Sequence, residues 1–125
     1  MAVSTGIEIV VRDCAAEQVL VWLEAVAGPL TEPLDGGGGE VVYGTRLGTL
    51  IVQPNMEGPG GIGVWFKTAV LPWATPAACA RQAARELNCV VWCEPGEDYP
   101  EVPPLSPVFL EVGGDRELLF EPPET

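Results

Sequence analysis

Carboxylates are the reactive side chains that this sequence supplies in number, and four of them crowd the stretch EPGEDYPE at residues 94–101. Paired carboxylates serve as acid and base in glycoside hydrolysis, and several together can ligate Ca²⁺. The alternating DxDxDG spacing of a calcium loop is absent from the stretch. We therefore predict no metal site, while a carboxylate-based hydrolase, or a degenerate relative of one, stays open as an interpretation.

Other catalytic groups are scarce. The chain has no histidine, which is the usual proton carrier near neutral pH. Its two serines, Ser4 and Ser106, lie outside any GxSxG motif. The glycine tracts at residues 36–39 and 57–63 lack the lysine and the strand–loop–helix setting of a phosphate-binding loop. We expect a protein that is not an enzyme and that binds no cofactor.

The four cysteines are expected to be free thiols. Cys89 and Cys93 lie on one predicted strand, roughly 13 Å apart, which is too far for a disulfide. No histidine or CxxC pair is present to build a zinc site. Buried thiols of this kind behave as small hydrophobic side chains and fit a reducing compartment.

The net charge of −12 is unevenly distributed. Residues 94–125 hold nine acids against Arg116 alone, whereas residues 1–93 hold nine acids and five bases. One interpretation is a solvated surface that keeps the protein dissolved, and the other is a docking surface for a basic protein. Nucleic acid is not an expected partner, because an acidic surface repels its phosphates.

Neither a membrane span nor an export signal is indicated. The longest apolar runs have five residues, far short of the roughly 20 that cross a bilayer. No basic and apolar leader precedes Ile7. We expect a cytoplasmic protein without a membrane partner.

The stretch from Thr75 to Cys93 predicts a helix followed at once by a strand. Thr75 can cap the helix, Pro76 suits its first position, and Asn88 can leave it in the left-handed conformation. Small or apolar residues recur at helical spacing on one side: Ala80, Ala83, Ala84 and Leu87. The strand at residues 89–93 is apolar at every position, which is typical of a central strand covered on both faces.

Alternation and turn signals predict six further strands. They are Ile7–Arg12 and residues 40–44, 48–53, 64–70, 108–112 and 117–121. The stretches at residues 31–40 and 57–63 are expected to be irregular, flexible connections. Residues 95–107 contain five prolines, so an extended segment without regular structure is expected there.

A second helix is predicted to begin near Cys14, with Asp13 as its cap, and to end at Gly28 and Pro29. Its polar stripe is narrow, so we expect most of its circumference to be covered. Trp22 is expected to pack at the edge of the core.

These elements predict a single α+β domain over residues 1–125. The order β-α-β-β-β-α-β-β-β favours an antiparallel or mixed sheet of six to seven strands with two helices packed on one face. The pattern also suggests a βαββ duplication, with halves at residues 1–56 and 62–125. The opposite face would be covered only in part, by the proline-rich segment or by another protein. Trp65 and Trp92 are the candidates for exposure on it.

In outline the chain resembles the small acidic immunity proteins of bacterial polymorphic-toxin and contact-dependent antibacterial systems. The resemblance is carried by the α+β element order, the acidic stretch at residues 94–101 and the closing sequence VFLEVGGDRELLFE. It implies an antitoxin that neutralises one cognate toxin by occluding its active site. The alternative is a secretion chaperone of the type III kind, which is also small, acidic and α+β, although such chaperones look as if they begin with a helix.

An acidic surface suits a toxin with a basic surface, because opposed charge raises the association rate and pre-ordered prolines lower the entropic cost of docking. A tyrosine among carboxylates can supply an anchoring contact. The candidate partner-binding residues are Glu94, Glu97, Asp98, Tyr99, Glu101, Asp115 and Glu117.

Overall fold

Eight strands form one antiparallel sheet in the computed structural model, which describes residues 6–55, 60–68, 70–103 and 106–121. The strands are β1 (Ile7–Arg12), β2 (Leu34–Gly37), β3 (Glu40–Thr45), β4 (Gly48–Pro54), β5 (Gly61–Lys67), β6 (Val90–Cys93), β7 (Phe109–Gly113) and β8 (Arg116–Phe120). Their order across the sheet is β2-β3-β4-β5-β1-β6-β7-β8. The chain is α+β, as predicted, and its sheet is antiparallel rather than mixed.

The additional strand, relative to the six to seven predicted, is β2. It lies within residues 31–40, which were expected to be irregular, and it pairs with β3 through Leu34 opposite Val42. Every residue of β2 is exposed, and Leu34 is its one large apolar side chain. Alternation could not reveal this strand, because backbone pairing with β3 rather than side-chain burial holds it in place.

The second glycine tract also differs from its predicted form, since β5 already begins at Gly61. Gly61 and Gly63 are buried, so this part of the tract is sheet interior and not a flexible tip. Four features discussed from the sequence fall outside the described residues: Ser4, residues 56–59, residue 69 and residues 104–105.

The two helices, α1 (Ala16–Ala27) and α2 (Pro76–Leu87), lie on the same face of the sheet. α2 packs across β1, β6 and β7, and α1 lies beside α2. Fully buried side chains from alternate strand positions, including Ile9, Val64 and Val91, meet both helices in one apolar core. Neither helix has the length and apolarity of a bilayer span in the part of the chain that the structure describes.

Trp22 joins the two helices to the sheet. Its ring meets Phe66 of β5 edge-on, with 6.4 Å between centroids, and stacks on Trp73 at 6.3 Å. Its Nε1 donates to Glu86 Oε1 at 2.8 Å, so the indole is satisfied although the residue is buried. The predicted position at the edge of the core is confirmed.

α2 has the ends that its sequence predicts. The Thr75 hydroxyl accepts a hydrogen bond from the Ala78 backbone N–H at 3.1 Å, and Pro76 opens the helix. Asn88 closes it in the left-handed conformation, with φ 54° and ψ 46°. The face that meets the sheet is made of small or apolar side chains, all buried: Ala77, Cys79, Ala80, Ala83, Ala84 and Leu87.

α1 departs from its prediction at its start and on its outer side. Asp13 does not cap it: Asp13 has φ 55°, its backbone N–H donates to the Gly60 carbonyl at 3.2 Å, and Ala15 precedes the helix without a side-chain cap. The helix is also less covered than expected, since Val21 is 68% exposed. The greater exposure arises because α1 packs beside α2 and so buries a single stripe.

The order of elements repeats as β-α-β-β-β, but the two repeats are placed differently in the sheet. Strands β2, β3 and β4 run from the edge inward to β5, whereas β6, β7 and β8 run from the centre outward. β1 is hydrogen-bonded between β5 and β6, which both belong to the second predicted half. The two halves therefore share an order of elements and differ in the places that their strands take in the sheet.

Candidate functional site

Arg81 of α2 binds two of the predicted partner-binding residues on the helix side of the sheet. Its Nη1 donates to Asp98 Oδ2 at 2.7 Å, while Nε and Nη2 donate to Glu117 Oε2 and Oε1 at 2.5 and 3.0 Å. The side chains of Arg81, Asp98 and Glu117 are 38, 22 and 27% exposed. Two carboxylates therefore share one guanidinium at the surface of the fold.

Tyr99 belongs to the same arrangement. Its hydroxyl donates to Glu117 Oε1 at 2.5 Å, and its half-buried ring packs against the apolar core. The hydrogen bond to Glu117, together with partial burial, raises the pKa of the Tyr99 hydroxyl. We call Arg81, Asp98, Tyr99 and Glu117 the Arg81 cluster.

The carboxylates of the Arg81 cluster are held in their ionised form. Hydrogen bonds from Arg81 lower the pKa of Asp98 and the pKa of Glu117, and a hydrogen bond from Thr75 lowers that of Asp98 further. A two-carboxylate hydrolase needs one carboxyl whose pKa is raised, so that it can donate a proton. The electrostatics of the Arg81 cluster therefore do not favour the hydrolase interpretation.

A short 3₁₀ helix (Gly96–Asp98) positions Asp98 for this contact. The chain turns at Gly96 with φ 63°, where an added Cβ would lie 3.3 Å from Cδ of Pro76, and the preceding Pro95 is buried. Residues 95–107 were predicted to lack regular structure. Their first residues instead pack against the start of α2, because that helix supplies the hydrogen-bond donors for Asp98.

Glu97 and Glu101 lie exposed beside the Arg81 cluster. Glu97 is part of the 3₁₀ helix, and Glu101 lies in the next turn, where the Val102 backbone N–H donates to the Tyr99 carbonyl at 3.0 Å. Both carboxylates extend the acidic surface around Asp98.

The two remaining candidates lie elsewhere. Glu94 follows β6 directly and is exposed beside Phe109, where β7 begins. Asp115 is exposed in the turn after Gly113, at the far end of the β7–β8 hairpin. A strand of this length spans roughly 15 Å, so Glu94 and Asp115 do not share one contact point.

Sequence reasoning missed Arg81. It fell on the polar side of the predicted helix, where an exposed arginine is ordinary. Its partners Asp98 and Glu117 are 17 and 36 residues away in the chain, so no local spacing reveals the contact.

The sheet face away from the helices, which we call the open face, carries a band of aromatic side chains. Trp65 and Trp92 lie on it, at positions that alternate with the core residues of β5 and β6, and both are half-buried. The Trp92 ring contacts Phe120 at 4.8 Å between centroids, and its Nε1 donates to Glu111 Oε1 at 3.0 Å. Both tryptophans lie on the face predicted for them, but their predicted exposure is only partial, because neighbouring side chains cover each ring in part.

Two of the six basic residues lie over these rings. The Arg12 guanidinium carbon is 4.3 Å from the centroid of Trp92, and Lys67 Nζ is 5.1 Å from that of Trp65. Both distances fall within the range of favourable cation–π contacts. The open face therefore already holds cations against its tryptophans.

A cavity of about 310 Å³ opens on the same face. Its lining combines aromatic and acidic side chains: Trp65, Trp92, Phe109, Glu8, Glu40 and Glu94. Glu94 is thus the one predicted partner-binding residue that lines this cavity.

The cysteines are free thiols in the described structure, with Cys79 and Cys93 buried and Cys14 and Cys89 half-buried. Burial raises the pKa of the Cys93 thiol to about 12. Burial and a hydrogen bond with Cys89 raise that of Cys14 to about 11. Within the described ranges no group of three potential ligands is arranged to hold a metal ion.

Comparisons with protein-family models, curated proteins and solved structures found no match to this chain.

Proposed function

We propose that this protein is an inhibitory binding protein of the immunity type, which neutralises a basic cognate toxin by covering its active site. The observation that supports the proposal is the acidic surface beside the Arg81 cluster. Arg81 is committed to Asp98 and Glu117, while Glu97 and Glu101 stay exposed. Residues 94–125 keep nine acids against a single arginine, so little local positive charge offsets that surface.

The Arg81 cluster gives this surface a defined shape. Hydrogen bonds join the 3₁₀ helix to α2 through Asp98, and Glu117 joins β8 to the same arginine. A carboxylate-bearing segment that is already ordered loses less conformational entropy on docking. Opposed charge then steers the partner and raises the association rate, most strongly at low ionic strength.

We propose a supporting role for Asp98, Tyr99 and Glu117 in place of direct contact with the partner. The polar groups of Asp98, Tyr99 and Glu117 make hydrogen bonds within the chain. We therefore propose that these residues hold the acidic surface in place rather than contact the partner. Contact with the partner is assigned to Glu97 and Glu101, with Glu94 at one side and with Asp115 as a separate, more distant charge.

The test begins with affinity purification of the partner from the native host at low ionic strength. The purified partner should inhibit bacterial growth when produced alone, and an equimolar amount of this protein should abolish that inhibition. A partner whose toxicity persists in the equimolar complex would contradict the proposal. An export-competent effector that is merely kept unfolded would support the secretion-chaperone alternative instead.

The surface is tested by charge reversal with the same partner. We expect the pair Glu97→Lys and Glu101→Lys to slow association about tenfold or more at low salt, with a smaller effect at high salt. The matched control pair is Glu17→Lys and Glu24→Lys, which makes the same charge change on the exposed side of α1. Equal association rates for the two double variants would show that residues 94–101 do not form the partner-binding site.

A further inference from the structure

We propose that Cys14 and Cys89 are a redox-active pair, which forms a reversible disulfide when a low-molecular-weight disulfide oxidises the protein. This pairing goes beyond the proposed function and does not depend on it. The two cysteines come from distant parts of the chain, and neither belongs to the Arg81 cluster or to the acidic stretch at residues 94–101.

The sheet brings the two thiols to one place. The ladder between β1 and β6 ends with Arg12 opposite Val90, so Asp13 and Cys89 are the first residues beyond it. The Cys89 Sγ lies 3.8 Å from the carbonyl oxygen of Asp13, the residue before Cys14. The Cys14 thiol in turn forms a hydrogen bond with Cys89. Rotation of the two side chains is therefore enough to bring the sulfur atoms together.

Both thiols also donate weak hydrogen bonds to other groups. Cys14 Sγ donates to Gln18 Oε1 at 3.6 Å, and Cys89 Sγ donates to the Leu87 carbonyl at 3.4 Å. Such a contact uses the proton of the thiol, whereas a new bond to sulfur forms through its lone pairs. These contacts therefore hold the sulfur atoms in position without blocking their oxidation.

A cavity of about 320 Å³ gives an oxidant access to Cys89. Asp13 and Asn88 also line this cavity, and both are exposed, so the cavity is reached from solvent. Cys14 is half-buried and is not among the described residues that line it. We therefore assign the first attack on the oxidant to Cys89.

The other two cysteines also lie near each other, but in the core. Cys79 of α2 is 0% exposed, and Cys93 of β6 is 3% exposed. Burial raises the pKa of both thiols, so that the reactive thiolate is scarce as well as shielded. The chain thus contains a second pair of thiols that serves as an internal control.

The oxidation consists of two thiol–disulfide exchanges. The Cys89 thiolate attacks one sulfur of the oxidant RS–SR, the S–S bond breaks, and the released RS⁻ takes up the proton that Cys89 lost. Cys14 then loses its proton and attacks the Cys89 sulfur of the mixed disulfide, and the second RS⁻ leaves and takes up that proton. The protein loses two electrons and two protons, and the oxidant is reduced to two thiols.

The first exchange prepares Cys14 for the second. The pKa of Cys14 is raised to about 11 by burial, by its hydrogen bond with Cys89 and by the charge of the Cys89 thiolate. The last two causes disappear once Cys89 is part of a mixed disulfide, because its sulfur then carries neither a proton nor a charge. Cys14 then ionises more readily and can complete the disulfide.

The test treats the reduced full chain at pH 8 with millimolar glutathione disulfide and then blocks the remaining thiols with N-ethylmaleimide. Cleavage at lysine and arginine separates Cys14 from Cys79 and leaves Cys89 and Cys93 on a third peptide, where fragmentation distinguishes them. We expect a Cys14–Cys89 link in a monomer that has lost about 2 Da, and dithiothreitol should reverse it. Cys79 and Cys93 should stay free.

Two outcomes of this experiment would overturn the proposal. One is a link between Cys79 and Cys93 in place of the expected one. The other is the absence of any link with both glutathione disulfide and the smaller, uncharged bis(2-hydroxyethyl) disulfide.

Serine variants test which thiol attacks first. In Cys14→Ser the reaction should stop at a mixed disulfide on Cys89, with a gain of about 305 Da from one glutathione. In Cys89→Ser the modification of Cys14 should be about tenfold slower or more, because Cys14 does not line the cavity and burial still raises its pKa. Equal rates for the two variants would overturn the assignment of the first attack to Cys89.

The disulfide should also stabilise the fold, because it closes a long loop of the chain. We expect the thermal midpoint of the oxidised protein to lie about 5 °C or more above that of the reduced protein. Cys14→Ser treated in the same way is the control and should show no such rise. An oxidised protein with an unchanged or lower midpoint would show that the native fold does not hold the two sulfurs in bonding geometry, and would overturn the proposal. The proposed function would stand in that case, because charge reversal at Glu97 and Glu101 tests it separately.

Discussion

Arg81 and Glu117 meet as a two-pronged ion pair, with Nε 2.5 Å from Oε2 and Nη2 3.0 Å from Oε1. The pair joins the middle of α2 to the edge strand β8, and the same guanidinium reaches Asp98 in the 3₁₀ helix. Planar arginine is suited to such a junction because its donors have fixed directions. A single arginine, Arg81, thus fixes the positions of two carboxylates of the acidic surface.

Replacing Glu117 by glutamine should destabilise the fold by about 1 kcal/mol at pH 7, because the charge is lost while an amide oxygen can still accept hydrogen bonds. The folded-state pKa of Glu117 is lowered, so its contribution is complete above the unfolded pKa and is lost as pH falls through the folded pKa. Urea denaturation of parent and variant should therefore show a difference that shrinks between pH 7 and pH 3. Glu97→Gln is the control and should change the free energy of unfolding little at either pH. A difference for Glu117→Gln that is independent of pH would contradict this account.

Thr75→Ala should cost about 1 kcal/mol of stability, because the backbone N–H of Ala78 loses its acceptor at the start of α2. The variant also removes the hydrogen bond that lowers the pKa of Asp98, so that pKa should rise. Chemical denaturation measures the first effect, and a carboxyl-resolved NMR titration measures the second. Thr75→Ser keeps the hydroxyl and should preserve both properties. Loss of the same stability in the serine variant would show that the methyl group, not the cap, is responsible.

Ala83→Glu should prevent stable folding. Ala83 is fully buried on the side of α2 that meets the sheet, and a carboxylate there would lack a partner, at a cost of about 3 kcal/mol or more. Arg85→Glu places the same residue on the exposed side of the helix and should leave the thermal midpoint within a few degrees of the parent. Circular dichroism melting of both variants checks the prediction. Cooperative melting of Ala83→Glu near the parent midpoint would show that α2 does not pack as described.

Three of the native thiols, those of Cys14, Cys79 and Cys93, should resist alkylation at neutral pH. Cys79 and Cys93 are buried, and burial raises the pKa of both. Cys14 is more accessible, but its pKa of about 11 keeps the reactive thiolate scarce, so its rate should rise about tenfold for each pH unit between pH 7 and 10. Peptide mass spectrometry after iodoacetamide treatment follows each site separately, and the denatured chain gives the unprotected rate. Fast modification of Cys93 in the native protein would contradict its burial.

The elements predicted most accurately are those whose determinants lie within a few residues of each other. The cap at Thr75 and the exit at Asn88 were both confirmed, because each depends on a side chain and the backbone beside it. Alternation correctly assigned Ile7–Arg12 and the closing hairpin. Asp13 failed as a cap because a longer-range contact, from its backbone N–H to the Gly60 carbonyl, fixes its left-handed conformation.

The sequence predicted the acidic composition of the candidate site but not the spatial arrangement of its residues. The acidic stretch at residues 94–101 is visible in the chain, but Glu94 and Asp98 separate onto opposite sides of the sheet. Glu94 lines the open-face cavity, and Asp98 reaches Arg81 on the helix side. The position of Arg81 on a helix face does not indicate that it pairs with Asp98 and Glu117, because both partners are distant in the chain.

Local sequence by itself determined the ends of α2, most strands, the apolar side of α2 and the large excess of negative charge, since each depends on residue type and short spacing. The tertiary structure alone decided that β2 joins the sheet edge and that β1 lies between two strands of the second half. It also decided that two carboxylates bind one arginine and that the Tyr99 hydroxyl donates to one of them. The physical reason is that strand pairing and ion pairing join residues far apart in the chain. Such contacts depend on the packing of the whole molecule, and a short stretch of sequence does not hold enough information to predict them.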